Sequence, residues 1–195
     1  GRSSPGQIAE LGAALSALED RDMHSAVDDF GGSAAHAQGR WAEAASAWMR
    51  IADISDLNAP YALPRAGRVA ILARDPALAQ AALDRLAALG TRGRAVDADR
   101  ATIRAGLAAL AGDPEAARAG YRTALIAYRD LGLAWDEALV AQEAAWMLGV
   151  GDPEVAGWVD TARVTFVRLE AAPMLALLDQ AEAGTAPVVA AGTAG

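Results

Sequence analysis

His24 and Asp28 stand four residues apart, a spacing that puts two potential metal ligands on one face of a helix. Two ligands do not make a site. The acidic stretch around them, Glu19-Asp20-Arg21-Asp22-Met23-His24 followed by Asp28 and Asp29, reads first as a solvated face near a helix start, where negative charge is favourable. Asp97 with Asp99, and Asp136 with Glu137, are carboxylate pairs of the type that acid–base hydrolysis uses. Neighbouring acids on helices are usually surface, and nothing in the sequence points to burial that would raise a pKa. Gly31-Gly32-Ser33 and the run from Gly90 to Gly93 are rich in glycine but lack the strand-then-helix setting of a phosphate loop.

The residue types that are missing narrow the chemistry further. All 17 basic residues are Arg, and there is neither Lys nor Cys. A lysine Schiff base, a P-loop, a thiol nucleophile, a thiolate metal site and a disulfide framework are therefore excluded. The formal net charge of −8 argues against nucleic acid or an anionic membrane surface as a partner, because both bind basic surfaces. No stretch reaches the roughly 18 to 20 uninterrupted apolar residues of a bilayer span. The absence of Cys fits a cytoplasmic protein. The expectation is a scaffold with no catalytic residues, cofactor or metal.

The elements that would build such a scaffold show in the spacing. Of 195 residues, 52 are Ala, and part of that excess is periodic. Asp75-Pro76, Asp113-Pro114 and Asp152-Pro153 each suit a helix start, with Asp as N-cap and Pro at the first helical position. Gly112 and Gly151 precede the last two and suit a left-handed end to the helix before. Aligning Gly39, Arg74, Gly112 and Gly151 places Ala44, Ala79, Ala117 and Ala156 five positions later, and Gly32, Gly67, Ala105 and Ala144 seven positions earlier. Small residues on both sides of a short turn let two antiparallel helices approach closely, so the pattern predicts a helix-turn-helix repeat.

Between these points apolar periodicity is helical. Ala117, Tyr121, Ala124, Leu125 and Tyr128 share a face away from Arg118, Arg122 and Arg129, and Val155, Val159, Ala162, Phe166 and Leu169 share another. Ala98–Ala111 and Trp135–Leu148 read as first helices of repeats, apolar on more than one side. No segment alternates with period two, so no strand is expected. Residues 53–60 and 90–93 read as connections. Residues 1–6 look like a linker or tag remnant, 7–183 like one helical domain, and 184–195 like a disordered tail. The five Trp, at 41, 48, 135, 146 and 158, are expected to fill core gaps between Ala-rich helices.

Paired helices at this period, with Gly or Ala in the first and Ala early in the second, resemble tetratricopeptide (TPR) repeats. The run Ala35-His36-Ala37-Gln38-Gly39-Arg40-Trp41-Ala42-Glu43-Ala44 is the closest match, with Trp48 at the family's aromatic position, Leu83 and Tyr121 there in two further copies, and Asp160 in the last. The resemblance covers about residues 20–170 and implies an all-α helical-hairpin repeat array, a TPR-like α-solenoid of about four and a half repeats. Tyr128-Arg129-Asp130-Leu131-Gly132-Leu133, Asp136-Glu137-Ala138-Leu139, Ala162-Arg163 and Ala172-Pro173-Met174-Leu175 are similar to the helical tails of large bacterial signalling ATPase, cyclase or transcriptional regulators. That likeness implies a non-catalytic protein-interaction or intramolecular regulatory module. Its partner would be a protein, a peptide or another module of the same chain, with a homo-oligomer as a further option. The alternatives are a small-molecule sensor and an enzyme fragment with an unrecognised carboxylate site. On the TPR frame, His36, Tyr61, Arg68, Asp99 and Thr102 fall on or near the concave groove, with Arg65 and Arg104 close by; the arginines could hold a carboxylate through paired hydrogen bonds.

Overall fold

The three Asp-Pro pairs start helices. In the computed structural model, which describes residue 6, residues 21–54 and residues 56–184, the side chains of Asp75, Asp113 and Asp152 accept hydrogen bonds from the N–H groups of Leu78 at 2.9 Å, Ala116 at 3.0 Å and Glu154 at 2.8 Å. Each satisfies an N–H that the first helical turn leaves without a partner. The described helices are α1 (Arg21–Ala37), α2 (Trp41–Ile54), α3 (Ala59–Leu72), α4 (Pro76–Ala88), α5 (Arg94–Leu110), α6 (Pro114–Leu131), α7 (Ala134–Leu148), α8 (Pro153–Arg168) and α9 (Ala172–Glu182). No strand occurs among the described residues. The expected linker 1–6, the expected tail and the first residues of the acidic stretch, Glu19 and Asp20, lie outside the described residues, save for Gly6 and Gly184.

Successive helices pack in series. In addition α3 packs on α5 and α7, α7 packs on α9, and α9 reaches α1. Turns recur between paired helices. Gly39, Arg74 and Gly112 hold φ of 71°, 60° and 82°, and the next N–H bonds back to a carbonyl five residues earlier: Arg40 to Ala35, Asp75 to Ala70, Asp113 to Ala108. This is the left-handed helix ending that glycine favours, and Arg74 adopts it at some cost in strain. The α7–α8 turn departs from the expectation. Gly149, not Gly151, carries the positive φ, 76°, because α7 stops earlier relative to the Asp-Pro cap.

The core follows the apolar periodicity. Ala117, Tyr121, Ala124, Leu125 and Tyr128 of α6, and Val155, Val159, Ala162 and Phe166 of α8, are buried. Leu169 is a correction: it is half exposed, because α8 ends at Arg168 and the chain reverses through Glu170 at φ 54°. The stretch 53–60 is a shorter connection than expected, since α2 runs through Ile54 and α3 begins at Ala59, with Pro60 in the first turn where its missing N–H costs nothing.

The aligned small residues lie where helices meet, with a difference in which helices they serve. A Cβ on Gly32 would lie 3.1 Å from the Trp48 ring of its own hairpin partner, whereas one on Gly67 would lie 2.6 Å from Ile103 of α5. The second contact ties α3 to the following hairpin. Trp41 and Trp48 are buried as core fillers, and Trp41 meets Trp146 edge to face at 5.1 Å. That contact, with the Arg74 guanidinium donating to the Trp146 carbonyl at 3.2 Å, brings the end of α7 back to α2 and the α3–α4 turn.

Candidate functional site

A cavity of about 420 Å³ lies on the inner side of the curled chain. Helix α1 contributes His36, α2 contributes Trp48, α3 contributes Tyr61, Arg65 and Arg68, and α5 contributes Asp99. Helix α7 supplies Trp135, Asp136, Leu139 and Glu143, and the start of α9 supplies Pro173 and Met174. The α3 residues are one and two turns apart, so they stack along one face. Asp136 and Glu143 are seven residues apart on α7, two turns along the face that looks toward α3.

The floor is a buried polar cluster. Arg68, whose side chain is 11% exposed, donates from Nε to Glu143 Oε2 at 3.1 Å, and Glu143 is 1% exposed. The Tyr121 hydroxyl, from the outer helix α6, donates to Glu143 Oε1 at 2.9 Å. Burial raises the Glu143 carboxyl above its ordinary value, and Arg68 opposes that rise. Beside this pair the Tyr128 hydroxyl donates to Asp99 Oδ1 at 2.6 Å. Burial raises the Asp99 carboxyl too, against the Tyr128 hydrogen bond and the positive charge of Arg68. Burial likewise pushes both tyrosine hydroxyls up, so they remain donors.

The rim is aromatic. The Arg65 guanidinium lies over the Tyr61 ring at 3.6 Å from its centroid and donates to the Tyr61 carbonyl at 2.9 Å. Tyr61 in turn donates to Asp29 at 2.9 Å, and Asp29 also accepts from Trp48 Nε1 at 3.1 Å. His36 stands edge-on to Trp48, with ring centroids 6.0 Å apart. Its pKa is held down to about 4 by burial first and by the charges of Arg68 and Arg65 after that, so the imidazole is neutral at physiological pH. Trp135, which was expected in the core, stands on the rim with its edge against Phe166 at 5.6 Å.

Five of the seven residues expected on the groove therefore meet around one cavity: His36, Tyr61, Arg65, Arg68 and Asp99. Two do not line it. Thr102 is fully buried, its hydroxyl donating to the Ala98 carbonyl at 2.9 Å, and Arg104 is exposed elsewhere on α5. Sequence reasoning missed Glu143, Asp136 as a cavity residue, and the contribution of α9. Glu143 carried a signal, being an acid inside the apolar run Ala138–Trp146. The α9 contacts carried none, since they depend on how far the array curls.

The carboxylate pairs separate. Asp136 faces the cavity while Glu137 takes the Arg129 guanidinium at 2.7 Å; Asp99 turns inward while Asp97 meets Arg100 at 3.4 Å on the surface. His24 and Asp28 lie in a separate shallow depression with Arg50, and Asp28 is occupied by Arg50 at 2.5 Å. No group of acids and histidines able to hold a metal occurs among the described residues. None of the described helices is long and apolar enough to cross a membrane. No family model, curated protein or solved structure matches the chain.

Proposed function

We propose that this chain is a non-catalytic regulatory module, a TPR-like helical-hairpin array whose inner cavity takes a small ligand. The observation that carries this reading is the contact of α9 with α1. It brings both ends of the described array to one cavity of about 420 Å³, lined by α1 and α9 as well as by α3, α5 and α7. That volume is at the small end of the roughly 300–1,000 Å³ typical of ligand pockets. The lining supports binding over turnover: both oxygens of Glu143 are taken by Arg68 and Tyr121, and one oxygen of Asp99 by Tyr128. Because α9 and α1 both line the cavity, an occupant would tighten their contact, and neighbouring modules could read that change. The likeness of residues 128–175 to helical tails of bacterial signalling regulators supports a cytoplasmic regulator as the setting.

The test is a thermal-denaturation screen of the whole chain against amino acids, sugars, nucleosides and carboxylic acids, followed by amide hydrogen exchange. A ligand should raise Tm and slow exchange in α9. If no compound class shifts Tm and α9 exchange is unchanged throughout, the reading is wrong.

One observation favours a protein partner elsewhere on the surface. Val164 and Val167 are 70% and 60% exposed on one side of α8, with half-exposed Leu169 following. Exposed apolar side chains grouped in this way are typical of interaction surfaces. Sedimentation velocity tests whether the contact is with a second copy: Val167→Glu should abolish a concentration-dependent association while leaving Tm unchanged.

A further inference from the structure

We propose that the cavity ligand is a zwitterion of the amino-acid class with a large apolar side chain, its carboxylate held on α3 and its ammonium on α5 and α7. This deepens the ligand-binding reading above and rests on it.

Arg65 on α3 and Asp136 on α7 line the same cavity without pairing with each other, beside the closed Arg68–Glu143 pair. On the α3 wall, Arg68 uses Nε for Glu143, and no described residue accepts a hydrogen bond from its Nη1 or Nη2. Arg65 uses Nη1 for the Tyr61 carbonyl and keeps its other N–H groups. Two guanidiniums one turn apart can fork onto a carboxylate, an arrangement that gives short, charge-assisted hydrogen bonds.

On α7, Asp136 lines the cavity and makes no hydrogen bond or ion pair with any described residue. Asp99 has Oδ1 occupied by Tyr128, and Oδ2 accepts from no described residue. Asp136 is close enough to act on Asp99, Tyr128 and Arg68 electrostatically, yet it forms no salt bridge with either arginine. An unpaired, partly buried charge is costly, and a ligand group of opposite sign would offset that cost at Asp136 and at Arg65. A ligand carrying both signs satisfies both walls at once. A simple anion would leave Asp136 unpaired and repelled, and a simple amine would leave Arg65 without an anion.

The remaining lining says what else the ligand carries. Val69, Leu72, Leu139, Met174 and Trp135 add apolar lining to the same cavity. His36, neutral at physiological pH, adds no charge to upset the balance.

Calorimetric titration of the whole chain with L-leucine and L-tryptophan, and with their N-acetyl and carboxamide forms, tests the proposal. The free amino acids should bind. Removing either charge from the ligand should weaken binding at least tenfold, and so should Asp136→Asn or Arg65→Gln. Asp136 has no partner to lose, so Asp136→Asn should keep a near-wild-type Tm, which separates a binding defect from a folding defect. Equal binding of the N-acetyl or carboxamide forms, or undiminished affinity in both variants, would overturn the zwitterion. If no amino acid binds but another class from the broad screen does, the zwitterion fails while the ligand-binding reading stands. If nothing in the screen binds, both fail.

Discussion

Two sets of ion pairs sit in contrasting surroundings, one inside the array and one on its surface. On the inside, Arg68 and Glu143 meet with little access to solvent, and Tyr121 bonds the same carboxylate. On the outside, α6 and the start of α8 are joined by Arg118 with Asp152 at 2.9 Å and Arg122 with Glu154 at 2.5 Å, all partly open to water. The residue types are alike. The surroundings are not, and they decide what each pair is for. In water the Coulomb attraction is screened and offset by side-chain ordering. In the interior each partner is needed to offset the desolvation of the other, so the pair fixes geometry more than it adds stability. The inner cluster is therefore read as the device that holds α3, α6 and α7 in register around the cavity.

The largest effect should come from breaking the inner pair on one side only. Glu143→Ala strands a buried guanidinium and a tyrosine hydroxyl, and should destabilise the fold by about 3–5 kcal/mol in urea denaturation. Glu143→Gln should cost clearly less, since an amide oxygen still accepts from Tyr121 or Arg68. If Glu143→Ala costs no more than a surface substitution, the contrast between the two sides collapses.

A second contrast uses glycine. A Cβ on Gly106 of α5 would lie 2.6 Å and 2.7 Å from Cγ2 and Cγ1 of Ile71 on α3. Both atoms belong to the stiff branch of a fully buried side chain, so the helices must part. Gly106→Ala should cost about 1–3 kcal/mol. Gly157 on α8 meets nothing within 4 Å, and there the same substitution should stabilise by about 0.4–1 kcal/mol through the unfolded chain. Denaturation curves giving the same sign at both positions would show that inner and outer helices are not packed differently.

Much of this contrast was legible in the sequence, and the limits have a physical cause. Asp-Pro caps and helical periodicity act locally, so they announce the helices, and the aligned small residues mark where helices meet without saying whether the neighbour is the hairpin partner, as for Gly32, or the next hairpin, as for Gly67. The inner face was legible as far as the repeat frame carries, which reaches His36, Tyr61, Arg65, Arg68 and Asp99. Thr102 shares that frame but is spent on its own helix, bonding to Ala98. Asp136 next to Glu137 shows the limit most plainly. Adjacent residues on a helix point about 100° apart, so one faces the cavity and the other Arg129, a division that depends on the neighbours of α7. Closure by α9 sums small rotations over four hairpins, and no single residue records it.

The inner side also differs in its response to pH. His36 has its pKa held down to about 4 against an ordinary 6.5, so the unfolded chain takes up a proton there more readily than the folded one. Its contribution is complete above about pH 6.5 and is lost as pH falls toward 4. Between pH 6.5 and 5 the wild type should lose about 1–2 kcal/mol relative to His36→Gln. Glu143 and Asp99, with raised carboxyls, act in the opposite sense, because their folded forms hold protons more readily. They are present in both proteins, so the difference between the two stability–pH curves isolates the imidazole. Parallel curves would mean that His36 stays solvated and the cavity is open at α1.

The smallest effect belongs to the outer pair. Arg122 donates to both oxygens of Glu154, from Nε at 2.5 Å and from Nη2 at 2.6 Å, which is the best-formed bidentate contact outside the cavity. Geometry alone would rank it above Arg68–Glu143, whose one hydrogen bond is longer. Exposure reverses the order: water solvates either partner once the other is removed, so no charge is stranded. Arg122→Ala should leave Tm indistinguishable from wild type in physiological salt. A Tm drop comparable to that of Glu143→Gln would mean that the α6–α8 face is covered in the folded protein, and the exposed valines of α8 would then be the first place to look for what covers it.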